Sequence, residues 1–96
     1  MQKVNSLEIT DAKIKKLLNL GRLVAEATIT INGCIVIHGI RIIQLDSDRR
    51  IASFPQKELP DGKKVDIIHP ITTECRRYIE DYLFELLDKM EENIER

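Results

Sequence analysis

Side chains that could do chemistry are few in this chain of 96 residues: two histidines, two cysteines, and lysines, arginines and carboxylates in near balance. Cys34 and His38 have types that bind zinc. Four residues apart on one strand, they would be separated by about 13 Å, too far for a single ion. Asp66 and His69 have the types of an acid–base pair, but the His69-Pro70 step more simply ends a strand and sets the approach to a helix. No nucleophile motif and no glycine-rich phosphate loop accompanies them. The expectation is a protein that is not an enzyme, without catalytic residues, metal, cofactor or small-molecule substrate.

The cations say more. Residues 1 to 77 carry thirteen Lys or Arg against nine Asp or Glu, whereas residues 78 to 96 carry two against seven. A basic body thus ends in an acidic segment, an asymmetry that permits a nucleic-acid surface on the body and argues against the last helical turns touching phosphate. The candidate phosphate contacts are Lys13, Lys15, Lys16, Arg41, Lys57, Lys63, Lys64, Arg76 and Arg77, with Arg41, Arg76 and Arg77 preferred. Aromatic residues do not fall on alternating strand positions, so stacking of bases is weakly supported and backbone and groove contacts are expected instead.

These side chains must be positioned by strands and one helix. Residues 8 to 17 alternate, with Ala12 and Ile14 on one side and Lys13 and Lys15 on the other. After a turn at Asn19, Leu20 and Gly21, the apolar residues from Leu23 to Ile31 fall on odd numbers. Asn32-Gly33 follows, the pair best suited to a turn with φ > 0 at both central positions, and residues 34 to 43 form the return strand. If that turn has two residues, Ile31 faces Cys34 and the register is set. One face then collects Leu23, Ala25, Ala27, Ile29, Ile31, Cys34, Val36, His38, Ile40 and Ile42 as the core, with His38 buried opposite Ala27 and hydrogen-bonded. The other face collects Ile35, Ile37 and Ile43 beside Glu26, Thr28, Thr30 and Arg41. Three isoleucines on an outer face point to a homodimer interface.

Residues 46 to 50 read as a tight loop, residues 51 to 55 as a short strand ended by Pro55, Pro60-Asp61-Gly62 as a turn, and Val65 to Ile68 as another strand. From Thr72 the period changes: Ile79, Leu83, Leu86, Leu87, Met90 and Ile94 define one face of a long amphipathic helix, with Thr72 or Thr73 as its N-cap. Arg76 and Arg77 near its start oppose the helix dipole, which suits a negatively charged ligand better than a structural role. The fold class is α+β, an antiparallel sheet of four to five strands with a central Asn-Gly hairpin and one C-terminal helix. Residues 1–96 make one domain with its core over about 8–90, since two cores would leave each half too small. With 43% hydrophobic and 32% charged residues the composition supports a packed core. No apolar stretch approaches membrane-spanning length and no signal peptide is evident, so a cytoplasmic protein without a membrane partner is expected, its two cysteines reduced.

The runs Ile9 to Lys16, Gly21 to Ile31, Ile37 to Ile43 and Asp66 to Ile71, in this order and spacing, resemble the SpoVG family, the stage V sporulation protein G or septation proteins. The likeness covers roughly residues 9 to 83. It implies a small dimeric bacterial regulator that binds DNA and RNA and acts in septation and, in spore formers, sporulation. One departure stands out: where the family commonly follows Met-Pro with Ser or Asn and two or three basic residues, this chain has Phe54-Pro55-Gln56-Lys57-Glu58. The contrasting reading is a dimeric protein–protein interaction module that binds no nucleic acid, using the mixed sheet face or the acidic helix end.

Overall fold

The computed structural model describes residues 7–18 and 20–94, with the side chains of 92–94 excepted. Six strands and one helix follow in order: β1 Ile9–Lys16, β2 Leu23–Ile31, β3 Ile35–Gln44, β4 Arg50–Ser53, β5 Gln56–Glu58, β6 Lys64–Asp66 and α1 Thr73–Ile94. The first four form an antiparallel sheet in sequence order, and β5 and β6 pair as a separate two-stranded sheet. The fold is therefore α+β, as the change of apolar period from two to 3.6 implied. β5 lies ahead of the turn expected at Pro60-Asp61-Gly62, and its three exposed polar residues carry no period by which a strand could be recognised. Asn19 and the side chain of Ile94 lie outside the described residues.

Alternation in β2 holds from Ala25 onward, with Ala25, Ala27, Ile29 and Ile31 buried and Glu26 exposed, while Leu23 and Val24 are both half-buried beside a register shift. Pairing with β3 departs from the expected register. Asn32 and Gly33 both adopt positive φ, 54° and 66°, and the Cys34 N–H donates to the Ile31 carbonyl at 3.0 Å. Yet Ile31 lies opposite Ile35, one residue beyond Cys34. Asn32 also anchors the start of β1, its side-chain oxygen accepting from the Glu8 N–H and its own N–H donating to the Glu8 carbonyl, each at 2.8 Å.

A second departure lies at Gly39. Ala27 faces Ile40 and Ile29 faces Ile37, so Thr28 alone opposes both His38 and Gly39. This is a β-bulge with a glycine at φ 78°, a backbone state that costs little without a Cβ. The extra residue switches which parity of β3 faces inward: Ile37 before it and Ile40 and Ile42 after it are all buried. Cys34, Val36 and His38, expected in the core, are exposed. His38 meets Thr28 on the outside, Oγ1 to Nδ1 at 3.5 Å, in place of a buried partner. Ile37, expected on an outer dimer face, is 6% exposed and belongs to the core.

The core sits between the inner face of the four-stranded sheet and one stripe of α1. Ile79, Leu83 and Leu87, four residues apart, pack with Ala25, Ile29, Ile40, Ile42, Ala52 and Phe54. The helix begins where Thr72 Oγ1 accepts the Cys75 N–H at 3.1 Å, an N-cap that satisfies one of the free donors of the first turn. Polar side chains then fasten α1 to the sheet along its length. Tyr78 Oη accepts from the Ile9 N–H at 2.9 Å, Arg50 makes a two-pronged pair with Asp88 at 2.8 and 3.2 Å, and Lys16 meets Glu91 at 3.3 Å.

β4 is an edge strand, and its outward main-chain groups would template aggregation if left open. At Ala52 the helix closes them: the N–H donates to Glu80 Oε2 at 3.0 Å and the carbonyl accepts from Arg76 Nη1 at 3.2 Å. Arg76 and Glu80, one helical turn apart, also pair with each other at 3.5 Å, and the Arg76 guanidinium lies 5.5 Å from the Phe54 ring centroid. This arrangement corrects the expectation that Arg76 had no structural use.

Candidate nucleic-acid interface

Cross-strand pairing lines up charges on the outer face of the sheet. Lys15 lies opposite Glu26, Glu26 opposite Arg41, and Arg41 opposite Ser53, so a single row crosses all four strands. From its β4 end the chain passes through Phe54 and Pro55 into the β5–β6 hairpin, where Gln56, Lys57 and Glu58 face Asp66, Val65 and Lys64. The Gln56 amide donates to Asp66 Oδ1 at 2.8 Å, tying the open end of that hairpin.

Between the row and the hairpin lies a cleft of about 370 Å³. Arg41, Lys57 and Lys64 line it with Glu26 and Glu58, and its wall includes Gly39, Ser53, Phe54, Pro55 and Gln56. The bulge that places His38 and Gly39 outside therefore also borders the cleft. Two of the three cations face a carboxylate across a strand pair, Arg41 with Glu26 and Lys64 with Glu58. Opposite charges directly across a sheet attract modestly. Lys57 faces Val65 and has no such neighbour, which leaves its charge the least compensated of the three.

The expected phosphate contacts divide by position. Arg41, Lys57 and Lys64 converge on the cleft, Lys15 continues their row, and Lys13 stands one step along β1 opposite Thr28. Lys63 is exposed in the turn before β6, where its N–H donates to Asp61 Oδ1 at 3.0 Å and Gly62 takes φ 91°. Arg77 is exposed on α1, in the helical layer and away from this row. None of these seven makes an ion pair among the described residues. Lys16 and Arg76 are instead occupied by Glu91 and Glu80. Glu58 stands beside Lys57 in the departure visible in the sequence and Glu26 shares the outer face with Arg41, but their meeting in one lining follows from the strand pairing.

Other chemistry finds no assembly among the described residues. Asp66 bonds to Gln56, and the His69 ring lies 3.0 Å from the Pro70 carbonyl oxygen, so the two do not form an acid–base pair. Among the described residues no group of three or more His, Cys, Asp or Glu is placed to hold a metal ion, and no helix is long and apolar enough to cross a membrane.

The SpoVG family model matches residues 7–89. The chain belongs to the SpoVG family. It is 35% identical over 86 residues to a SpoVG of Staphylococcus aureus named for a role in septation, covering 90% of this chain and 85% of that one. Similarly named SpoVG proteins of Staphylococcus haemolyticus and Staphylococcus carnosus are 35% and 34% identical over 88 residues, covering 92% of this chain and 87% and 81% of theirs. The matched span takes in every SpoVG strand described here, the cleft and the helix stripe through Leu87.

Proposed function

We propose that this SpoVG-family protein is a nucleic-acid-binding bacterial regulator, acting as a cytoplasmic homodimer in the control of septation. The observation that carries the reading is the convergence of Arg41, Lys57 and Lys64, without ion-pair partners among the described residues, on one open cleft. Phosphate neutralisation needs several clustered cations, and two copies of the cluster in a dimer would bind one strand with higher avidity than either alone. The polar lining and the lack of a stacking platform favour contact with the sugar-phosphate backbone over reading of bases. The names of the staphylococcal relatives supply septation as the process.

The test is a titration of fluorescent single- and double-stranded DNA and RNA at two salt concentrations. Wild-type binding should weaken as salt rises, and Arg41→Ala/Lys57→Ala should lower affinity and flatten the log–log salt slope on duplex DNA by roughly two units for each cleft engaged. Arg77→Ala, outside the cleft, should change little. No binding even at low salt would replace this reading with the protein-docking one.

A further inference from the structure

The two edge strands of the main sheet are finished differently. At β4 the outward groups of Ala52 are satisfied by Glu80 and Arg76. β1 stays open along most of its length. Just past its end the Leu17 N–H donates to the Val24 carbonyl at 3.0 Å, which makes these two a hydrogen-bonded pair of the antiparallel ladder. Counting back in the same register, Lys15, Lys13 and Asp11 also turn their main-chain groups toward β2, and Ala12, Ile14 and Lys16 turn theirs away. Among the described residues nothing bonds to the outward groups of these three, and Tyr78 caps the edge only at Ile9. Side chains alternate along the same stretch. Ala12 and Ile14 lie half-buried on the inner face, opposite Ile29 and Ala27, while Lys13 and Lys15 lie exposed on the outer face. The helix supplies a wall beside this edge. Arg76, Glu80 and Asp88 mark the flank of α1 that faces β4, through their bonds to Ala52 and Arg50. Tyr78 marks the opposite flank by its bond to Ile9, and Tyr82 and Leu86 follow it at four-residue spacing. The Tyr78 and Tyr82 rings meet edge to face at 6.4 Å, Tyr82 is 38% exposed, and a shallow depression of about 220 Å³ is lined by Tyr82, Glu85, Leu86 and Lys89.

We propose that the β1 edge is a docking site for an extended segment of another protein, added as a fifth strand with acidic residues on its outer face and apolar residues on its inner face. Main-chain bonds to Ala12, Ile14 and Lys16 supply the attachment, and alternate side chains supply the selection. On the outer face, residues level with Lys13 and Lys15 gain from negative charge, since both lysines are exposed and in no ion pair among the described residues. On the inner face, apolar side chains continue the layer of Ala12 and Ile14 toward Tyr82 and Leu86. Lysines on an edge strand ordinarily guard against indiscriminate pairing. Here the same two charges make the choice, repelling a basic strand and attracting an acidic one. A second copy of β1 is a poor occupant, because antiparallel pairing centred on Ile14 sets Lys13 opposite Lys15 twice. Lys16 takes no part in the selection, as its ammonium is already held by Glu91. The surface shares no lining residue with the cleft, so it neither requires nor excludes nucleic-acid binding there.

The probe is a capped, fluorescein-labelled peptide of alternating Glu and Val, matched in length to β1 and titrated against the full chain by fluorescence anisotropy. It should bind saturably, and a peptide of alternating Lys and Val should bind roughly tenfold more weakly or worse. Methylation of every second peptide nitrogen removes the ladder donors in one phase only. One of the two methylated peptides should therefore lose binding while the other keeps it, an asymmetry that attraction through charge alone does not produce. Lys13→Glu/Lys15→Glu, its folding confirmed by far-UV circular dichroism, should reverse the preference and take the Lys-Val peptide over the Glu-Val one. Hydrogen exchange followed by NMR should slow at the Ala12, Ile14 and Lys16 amides when peptide is bound. The proposal falls if millimolar Glu-Val peptide leaves the anisotropy unchanged, if both methylated peptides bind alike, or if reversing the lysines leaves the preference as it was. Protection of those three amides that rises with protein concentration alone would also overturn it, by giving the edge to a second copy.

Discussion

The main-chain N–H of Ala52 donates to the carboxylate of Glu80 at 3.0 Å, so a helix side chain completes the edge of a strand twenty-eight residues earlier. Glu80→Ala leaves that half-buried donor without a partner and should destabilise the fold by about 1–3 kcal/mol, whereas Glu80→Gln keeps an acceptor oxygen and should lose less. Urea unfolding monitored by circular dichroism reads the difference. Equal midpoints for wild type and Glu80→Ala would show that the clasp contributes nothing. Because Arg76 shares this clasp, its replacement alters the fold as well as the charge, and Arg77 is the cleaner helical control in any binding experiment.

Gly39 stands at φ 78°, and a Cβ built there meets nothing within 4 Å. Gly39→Ala therefore tests backbone strain without a steric clash, and should cost about 1–2 kcal/mol from the left-handed conformation alone. An unchanged thermal midpoint would mean that the bulge relaxes to a register a side chain can accept.

The Arg50 guanidinium, hydrogen-bonded to Asp88, holds that carboxyl below its ordinary range. A carboxylate with a depressed folded pKa stabilises above its unfolded value of about 3.9 and loses that contribution as pH falls through the folded value. Asp88→Asn should accordingly be less stable than wild type at pH 6, by under about 1 kcal/mol because the pair is partly exposed, and the gap should close below about pH 4. Urea midpoints measured from pH 6 to 2 check this, and a gap that persists at pH 2 would assign the effect to packing.

The two cysteines differ in exposure. Cys34 is exposed in the turn between β2 and β3, while Cys75 is half-buried in the first turn of α1 and burial pushes its thiol pKa up. A maleimide or disulfide reagent at pH 7.5 should modify Cys34 quickly and Cys75 slowly, since the thiolate is the reacting form. Peptide mass mapping over time distinguishes the sites, and equal rates would contradict the burial of Cys75.

Periodicity made most of this architecture legible. β2 was bounded to the residue, β1 and α1 nearly so, because each buries one face along its length and the apolar spacing records it. The β2–β3 register was not legible from the turn alone, since pairing begins beyond Cys34 and an extra residue enters at Gly39. Sequence held only part of the signal: apolar residues in β3 fall at 35, 36 and 37, then at 40, 42 and 43, so both parities are apolar and only the lone glycine at 39 marks where the inward face changes. Of the site, Arg41, Lys57 and Lys64 were named individually, but their meeting depends on how the β5–β6 hairpin folds back beside β4, a long-range arrangement with no local period. The structural use of Arg76 was invisible for the same reason, as its partner is the carbonyl of Ala52.

The sheet precedes its helical apolar cover in the chain: β4 ends at Ser53, while the covering stripe runs from Ile79 to Leu87. At ribosomal rates of about 5–20 residues per second, synthesis from the end of β4 to Leu87 takes roughly 2–7 s. During that interval the faces of Ile29, Ile40 and Ile42 can form a sheet without anything to shield them. The nascent chain is thus at its most adhesive when all the strands have been made and the helix has not. Slowing codons between β6 and α1 would lengthen that exposure, and the demand for a holding chaperone should follow the speed at which the stretch from β6 to Leu87 is translated.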